Sequence, residues 1–313
     1  MTPDLITQAA QRLHGGPAGF LRETPVIKLP GAALGVNCAE VWLKLEHLQT
    51  GGSFKARGML NRLMANTIPA SGVIVASGGN AGIATAAAAR ALGVRCEVFL
   101  PTVSSPAKRA RLAELGADVV VTGAVYAEAL AACLDRQRET GALLTHAYDQ
   151  PEVVAGAGTL AMEIESQAGV PGSVLASVGG GGLIAGIAAW FAGRVRVVAL
   201  EPELAPTLYR AREAGQPVDV AVGGIAADSL GAKRIGAIAW EVTQQNVKDA
   251  LLLPDAAIRT AQLWLWHELK LAVEPAAALG LAALQTGAYV PRADENVCLV
   301  ICGANLDPAT LAH

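Results

Sequence analysis

Short apolar runs alternate with longer helical stretches along most of the chain. Gly72-Val73-Ile74-Val75-Ala76, Arg95 to Leu100, Asp118 to Val121, Ser173 to Ala176, Val195 to Leu200 and Val297 to Ile301 are short and largely apolar, which predicts strands buried on both faces. Glu40 to Leu45 carries Val41, Trp42, Leu43 and Leu45 and predicts another strand, after a short helix within 1–20 and an extended lead-in over 23–29. Helices are predicted over Ile83 to Leu92, through Leu115, over Tyr126 to Thr140, through Met162 to Gln167, over Leu183 to Phe191 and Thr207 to Ala214, and over about 254–271 and 274–286. Gly93 and Gly116 close two of them, as glycine after a last helical turn does. Residues 215–235 are rich in loop formers. Strands alternating with helices of this length imply an α/β fold, with parallel sheets covered on both faces. The pattern breaks at Tyr148-Asp149-Gln150-Pro151 and then restarts, so two such units are expected.

Composition narrows this picture. Hydrophobic residues make up 52% and aromatics 4%, so the core is Ala, Val, Leu and Ile. A net charge of −3 with no basic patch argues against a nucleic-acid partner. Five cysteines without a C-x-x-C pair fit a reducing cytoplasm and argue against a disulfide frame or a zinc site. The N-terminus, with Asp4, Gln8 and Gln11, is too polar for a signal peptide. Ser166 to Gly193 is uncharged and long enough to cross a bilayer. Pro171-Gly172 and the four glycines Gly179 to Gly182 interrupt it, so a buried strand, loop and helix is expected and no membrane span.

Chemistry gathers at four stretches. In Gln49 to Gly58, two glycines allow a tight turn, Ser53 stands where a helix N-cap belongs, and Lys55 falls in the first turn. The partial positive charge of a helix N-terminus disfavours a second positive charge there, which makes Lys55 a candidate neutral, nucleophilic amine. On this stretch alone a solvated surface lysine is the better reading, so the argument for Lys55 comes from the rest of the chain. Ser77-Gly78-Gly79-Asn80-Ala81-Gly82 opens a helix, and fits either an anion site or an ordinary strand-to-helix turn. In Val178 to Leu183, the backbone entropy lost by four consecutive glycines is offset if their N–H groups cradle a phosphate. The spacing Gly180-x-Gly182-x-x-Ala185, with Glu201 further on, also fits a nicotinamide-dependent oxidoreductase. Against that, the fingerprint sits mid-chain, and His146 and His267 read as core or surface histidines rather than a hydride-transfer site. Cys302-Gly303-Ala304-Asn305 follows the last strand, on the presumed ligand edge. A turn-bound lysine, a phosphate loop and a third ligand edge together suit pyridoxal 5'-phosphate.

At these residues the chain resembles the serine/threonine dehydratases among the fold-type II, tryptophan synthase β-like pyridoxal-phosphate enzymes. The likeness runs from Thr24-Pro25 to Asn305. It implies two open parallel-sheet domains with helices on both faces: a large cofactor-binding domain of 1–41 plus 150–313 and a small domain of 42–149. Gly52-Ser53-Phe54-Lys55-x-Arg57-Gly58 is similar to the family's Schiff-base lysine motif, so Lys55 is implied as catalytic and Phe54 as a cofactor contact. Ser77, Gly78, Gly79, Asn80 and Ala81 are similar to its substrate-carboxylate loop, with Asn80 facing the cofactor's ring hydroxyl. Gly179, Gly180, Gly181, Gly182 and Leu183 match the phosphate loop, Val273 to Ala276 a segment lining the site, and Cys302 the partner of the pyridine nitrogen. The implied activity is an ammonia-lyase converting L-threonine or L-serine to 2-oxobutanoate or pyruvate plus ammonia, in a cytoplasmic homodimer. The alternatives within the fold are a lyase for another β-substituted amino acid and a β-replacing synthase, the latter disfavoured by an all-glycine phosphate loop. Gly78 stands where related racemases carry a serine, which implies weak racemisation. Glu201 and the Ala205 carbonyl match a cation site of some relatives, but Thr207 replaces its acidic partner, so a metal is left open.

Overall fold

The computed structural model describes residues 1–312. Its strands are β1 (Val26–Pro30), β2 (Glu40–Lys44), β3 (Val73–Ala76), β4 (Cys96–Leu100), β5 (Asp118–Val121), β6 (Leu143–Leu144), β7 (Ser173–Ser177), β8 (Arg196–Pro202), β9 (Val247–Leu253) and β10 (Asn296–Val300). They form a six-stranded sheet in the order β1-β2-β10-β7-β8-β9 and a four-stranded sheet in the order β5-β4-β3-β6. All pairings are parallel except the edge pair β1–β2. β2 lies wholly in the larger sheet, so the chain passes to the smaller one after Lys44.

The apolar runs are strands because both their faces are covered. In the smaller sheet, Val73, Val75, Val98 and Leu100 pack with Leu60, Leu63 and Ile83 on one side. Ile74, Ala76 and Phe99 pack with Cys133 on the other. The larger sheet buries Val41, Leu43, Val174, Leu175, Val198 and Leu299 among its own helices. No helix of the described residues is long and apolar enough to cross a membrane; the uncharged run over 166–193 is strand β7, the glycine turn and the helix Gly182–Phe191.

The strand order positions the site. β10, the last strand in the chain, inserts between β2 and β7. Parallel strands end on the same side, so the segments leaving β2, β10 and β7 emerge together. They lead to Lys55, Cys302 and the glycine tetrad respectively.

Candidate active site

Lys55 is the first residue of the helix Lys55–Met64. The expected Ser53 cap is not formed. Phe54 holds the cap position without a side-chain bond, while Ser53 is extended (φ −162°, ψ 160°) and bridges Gly303. The Ser53 hydroxyl is consequently buried beside Lys55 without a hydrogen-bond partner. Phe54 donates its amide to the Cys302 carbonyl at 3.1 Å, and Lys55 Nζ stands 5.0 Å from the Phe54 ring centre. Lys55 Nζ also donates to the Ala147 carbonyl at 2.6 Å.

Burial pushes the Lys55 ammonium down to about 8, although Cys302 and Glu274 work the other way. The lowered value expected from the helix terminus is thus present, with desolvation as its main cause. Behind Lys55, Arg57 binds Glu46 at 2.7 and 2.8 Å and Glu163 at 2.9 Å, and Lys44 binds Glu163 at 2.5 Å. Removing one partner from such a buried ion pair costs about 3–5 kcal/mol. This network fastens the lysine-bearing helix to the helix Pro151–Ala168.

The loop after β3 joins the site through Asn80, which meets Glu274 and Asn305. Its helix starts at Asn80 rather than Ile83, which puts Asn80 and Ala81 in the first turn, where amides have no intrahelical acceptor. Gly79 donates its amide to Ser77 Oγ at 3.4 Å. Gly82 has a structural reason to be glycine, since a Cβ there would stand 1.8 Å from the Ser77 carbonyl oxygen. A Cβ on Gly78 would meet the tip of Leu100 at 2.9 Å, with Ser104 Oγ at 3.9 Å. Asn80 Nδ2 donates to both carboxyl oxygens of Glu274, at 2.9 and 3.1 Å.

Gly179, Gly180, Gly181 and Gly182 are all buried, as is Leu183 behind them. Close packing requires several of these glycines, which entropy reasoning did not reveal. A Cβ on Gly180 would fall 2.2 Å from the Tyr148 ring, and one on Gly181, at φ +87°, 2.5 Å from Ala239. The amides of Gly179, Gly180 and Gly181 find no acceptor among the described residues. Buried amides without partners are rare and unfavourable, so this loop at a helix N-terminus is built to receive an anion. Cys302 is buried with its Sγ 3.4 Å from Ser177 Oγ. Burial, then the Glu274 charge, raise its thiol to about 12, so it stays neutral near pH 7.

Glu201 fits neither of its sequence readings as a free ligand. It is fully buried, and its carboxyl accepts from Thr207 Oγ1 and from the amides of Leu208 and Tyr209 at 2.7–2.9 Å. It thereby takes up first-turn donors of the helix Thr207–Ala214, whose cap position is held by Pro206. Burial raises it to about 7 against those hydrogen bonds. The dinucleotide reading loses its ribose carboxylate here. Among the described residues no group of three or more His, Cys, Asp or Glu is placed to hold a metal ion. His146 is tied into the turn after β6, its Nδ1 accepting from Asp149 N at 3.0 Å. A cleft of about 1080 Å³ separates the two sheets, with Gly78, Asn80, Lys108, Asp228 and Glu274 in its lining. Lys108 and Asp228 form an ion pair of 2.6 Å between the helix Pro106–Glu114 and the 215–235 loop.

An α/β fold with a half-buried, lowered lysine and a glycine turn of unpaired amides suits the pyridoxal-phosphate enzymes of fold type II. The chain belongs to the pyridoxal-phosphate dependent enzyme family, whose model matches residues 18–303. It is 36% identical to an L-threonine ammonia-lyase of Geobacter sulfurreducens over 277 residues, 87% of this chain and 69% of that protein. It is 35% identical to a phenylserine dehydratase of Ralstonia pickettii over 323 residues, 99% of this chain and 96% of that one. Among solved structures it is similar to a T.th. threonine deaminase, with a TM-score of 0.90 and 33% identity, covering 98% of this chain and 99% of that one. The cofactor of the family is pyridoxal 5'-phosphate, and the unpaired amides of the glycine turn and the lowered Lys55 fit its phosphate and its aldehyde.

The Lys55 value gives a pH dependence. Only the neutral amine attacks an aldehyde, and its share grows as pH rises through about 8. The rate at which the apoprotein takes up pyridoxal phosphate should therefore rise with pH and level off above about 8. Stopped-flow absorbance measures it; a rate still climbing beyond pH about 10, as for a solvated lysine, would remove the lowered value.

Proposed function

We propose that the chain is a cytoplasmic, homodimeric ammonia-lyase that converts L-threonine, L-serine or both to 2-oxobutanoate or pyruvate plus ammonia by α,β-elimination. One observation carries this reading: Lys55 is a lowered amine, and Gly78, which the likeness to the racemases sets across the site from it, brings no acid or base. A single base suits proton removal followed by loss of a β-hydroxyl. Returning a proton to the opposite face needs a second group.

In this reading Lys55, Phe54, Asn80, Gly179, Gly180, Gly181, Gly182, Leu183 and Cys302 hold the cofactor, and Ser77, Gly78, Gly79, Asn80 and Ala81 hold the substrate. When bound, the cofactor supplies an electron sink for the pair released at the substrate's α-carbon. The first-turn amides after Gly79 bind the substrate carboxylate. That fixes the α-hydrogen toward Lys55, whose Nζ accepts it as general base. Cys302 offers the ring edge a neutral partner only. Cys302→Ser keeps such a partner, and should hold the cofactor and at least about a third of wild-type turnover, since swapping one neutral hydrogen-bonding group for another changes little. Complete loss of cofactor would count against Cys302 at that position.

A bulkier β-hydroxy substrate is the second reading. It is favoured by the near full-length match to the phenylserine dehydratase. The test is the visible spectrum of the purified protein with pyridoxal phosphate, followed as L-threonine, L-serine and 3-phenylserine are added in turn. A band that changes while 2-oxo acid accumulates ranks the three substrates. A changing band without product moves the reading to a replacement reaction, and a protein that stays colourless ends it. Light scattering of the same sample tests the dimer.

A further inference from the structure

Glu274, the N-cap residue of the helix Pro275–Gln285 beside the larger sheet, enters none of the steps above. It is 4% exposed. Its amide donates to the Gly303 carbonyl at 3.1 Å, and a Cβ on Gly303 would lie 2.4 Å from its Oε1. The carboxyl group is thus packed directly on the turn that follows β10. From the smaller sheet's side it receives the Asn80 amide on both oxygens, at 2.9 and 3.1 Å. Asn305 grips the other end of that amide, its Nδ2 donating to Asn80 Oδ1 at 2.6 Å and to the Gly51 carbonyl at 2.8 Å.

These partners fix which way Asn80 faces. A carboxylate only accepts, so it selects the NH2 end; the Asn305 amino group only donates, so it selects the carbonyl end. A fork from one nitrogen to two oxygens of one carboxylate can use a single hydrogen, which leaves the second N–H of Asn80 uncommitted. Rotating the amide by half a turn would set two donors and two acceptors against each other.

We propose that Glu274 is a positioning residue for cofactor binding: it holds the Asn80 amide in one orientation, with the second N–H free for the cofactor, and so ties the 77–82 loop to the larger sheet. The proposal rests on Asn80 facing the cofactor, as in the function above. The groups facing Glu274 are Lys55 on its helix, Asp228 on the 215–235 loop, Cys302 in the turn after β10, the Asn80 side chain and the Asn305 backbone amide. Burial raises the carboxyl to about 7, with Asp228 adding to the rise and the Asn80, Asn305 and Lys55 contacts opposing it. The ionised form, which binds the amide more strongly, therefore grows as pH rises through about 7.

The experiment measures the dissociation constant of pyridoxal phosphate from the apoprotein by equilibrium dialysis, for wild type, Asn80→Ala, Glu274→Ala and the double variant. Glu274→Ala should weaken binding about tenfold or more, the scale of one lost hydrogen bond to a charged group. Because it acts through Asn80, the double variant should be no weaker than the weaker single one. Unchanged binding in Glu274→Ala, or effects that add in full, would overturn the proposal. An Asn80→Ala variant that binds like wild type would instead overturn the premise that Asn80 meets the cofactor. Asn305 is exposed, so Asn305→Ala tests the same hold without disturbing the core. It should weaken binding in the same direction, and wild-type affinity there would also count against the proposal. In Glu274→Gln, the part of the wild-type tightening between pH about 6 and about 8 that belongs to this carboxyl should vanish; a pH profile identical to wild type would contradict its role.

Discussion

Lys55→Ala should lower 2-oxo acid production by about 10⁴-fold or more, the upper range for removal of a general base. No neighbour is placed to substitute. Cys302 is a neutral thiol held near 12 by burial. His146 commits Nδ1 to the turn that follows it, and Glu274 commits both oxygens to Asn80. The fold should survive, because Lys55 Nζ makes one hydrogen bond, to the Ala147 carbonyl, while Arg57 and its carboxylates anchor the helix. Steady-state 2-oxo acid assays, with thermal melting as a control, measure this. A variant that melts like wild type and still turns over would remove Lys55 from the mechanism.

The second large effect is expected at Gly180. An added methyl would overlap the Tyr148 ring, with ring carbons 2.2–2.4 Å from the new Cβ. Tyr148 cannot simply withdraw, because Gly182 packs on its backbone and its hydroxyl reaches the Arg234 carbonyl at 3.3 Å. Overpacking of this kind costs about 1–3 kcal/mol. The glycine turn would move with it, and its amides, proposed above to hold the cofactor phosphate, would lose their convergence. Gly180→Ala should therefore melt several degrees lower and bind pyridoxal phosphate at least about tenfold more weakly, as the loss of a charge-assisted hydrogen bond would produce. Tyr148→Ala in the same chain removes the obstructing ring and should restore part of the affinity. Wild-type melting and affinity in Gly180→Ala would show that the loop has room the structure does not give it.

Where local rules mislead, a tertiary contact is the cause. Ser53 looks like a helix cap, but pairing with Gly303 pulls it into an extended conformation one residue too early. Glu201 sits where a ribose ligand would, yet the helix that begins at Thr207 folds back onto it and takes both oxygens. The helix Ala237–Asn246 and strand β9 went unpredicted because no glycine or proline separates them, and Lys248 and Asp249 interrupt the apolar run of the strand. Glu274 was legible only as part of a lining segment, since nothing in Val273-Glu274-Pro275 indicates that an asparagine 194 residues away would bind it.

The sequence by itself determined the parts that depend on near neighbours: short apolar strands, helices closed by glycine, the α/β alternation, and three turns with the residue types of a pyridoxal-phosphate site. Periodicity and turn chemistry act over a few residues, so one chain carries them openly. Tertiary structure alone decided that β10 lies between β2 and β7, which brings the Lys55, Cys302 and glycine segments to one edge. It also decided that Lys55 is lowered mainly by burial, and that Glu274 and Asn305 set the Asn80 amide. Strand order, desolvation and long-range hydrogen bonds depend on which distant segments meet, and that is settled only when the two sheets close on each other.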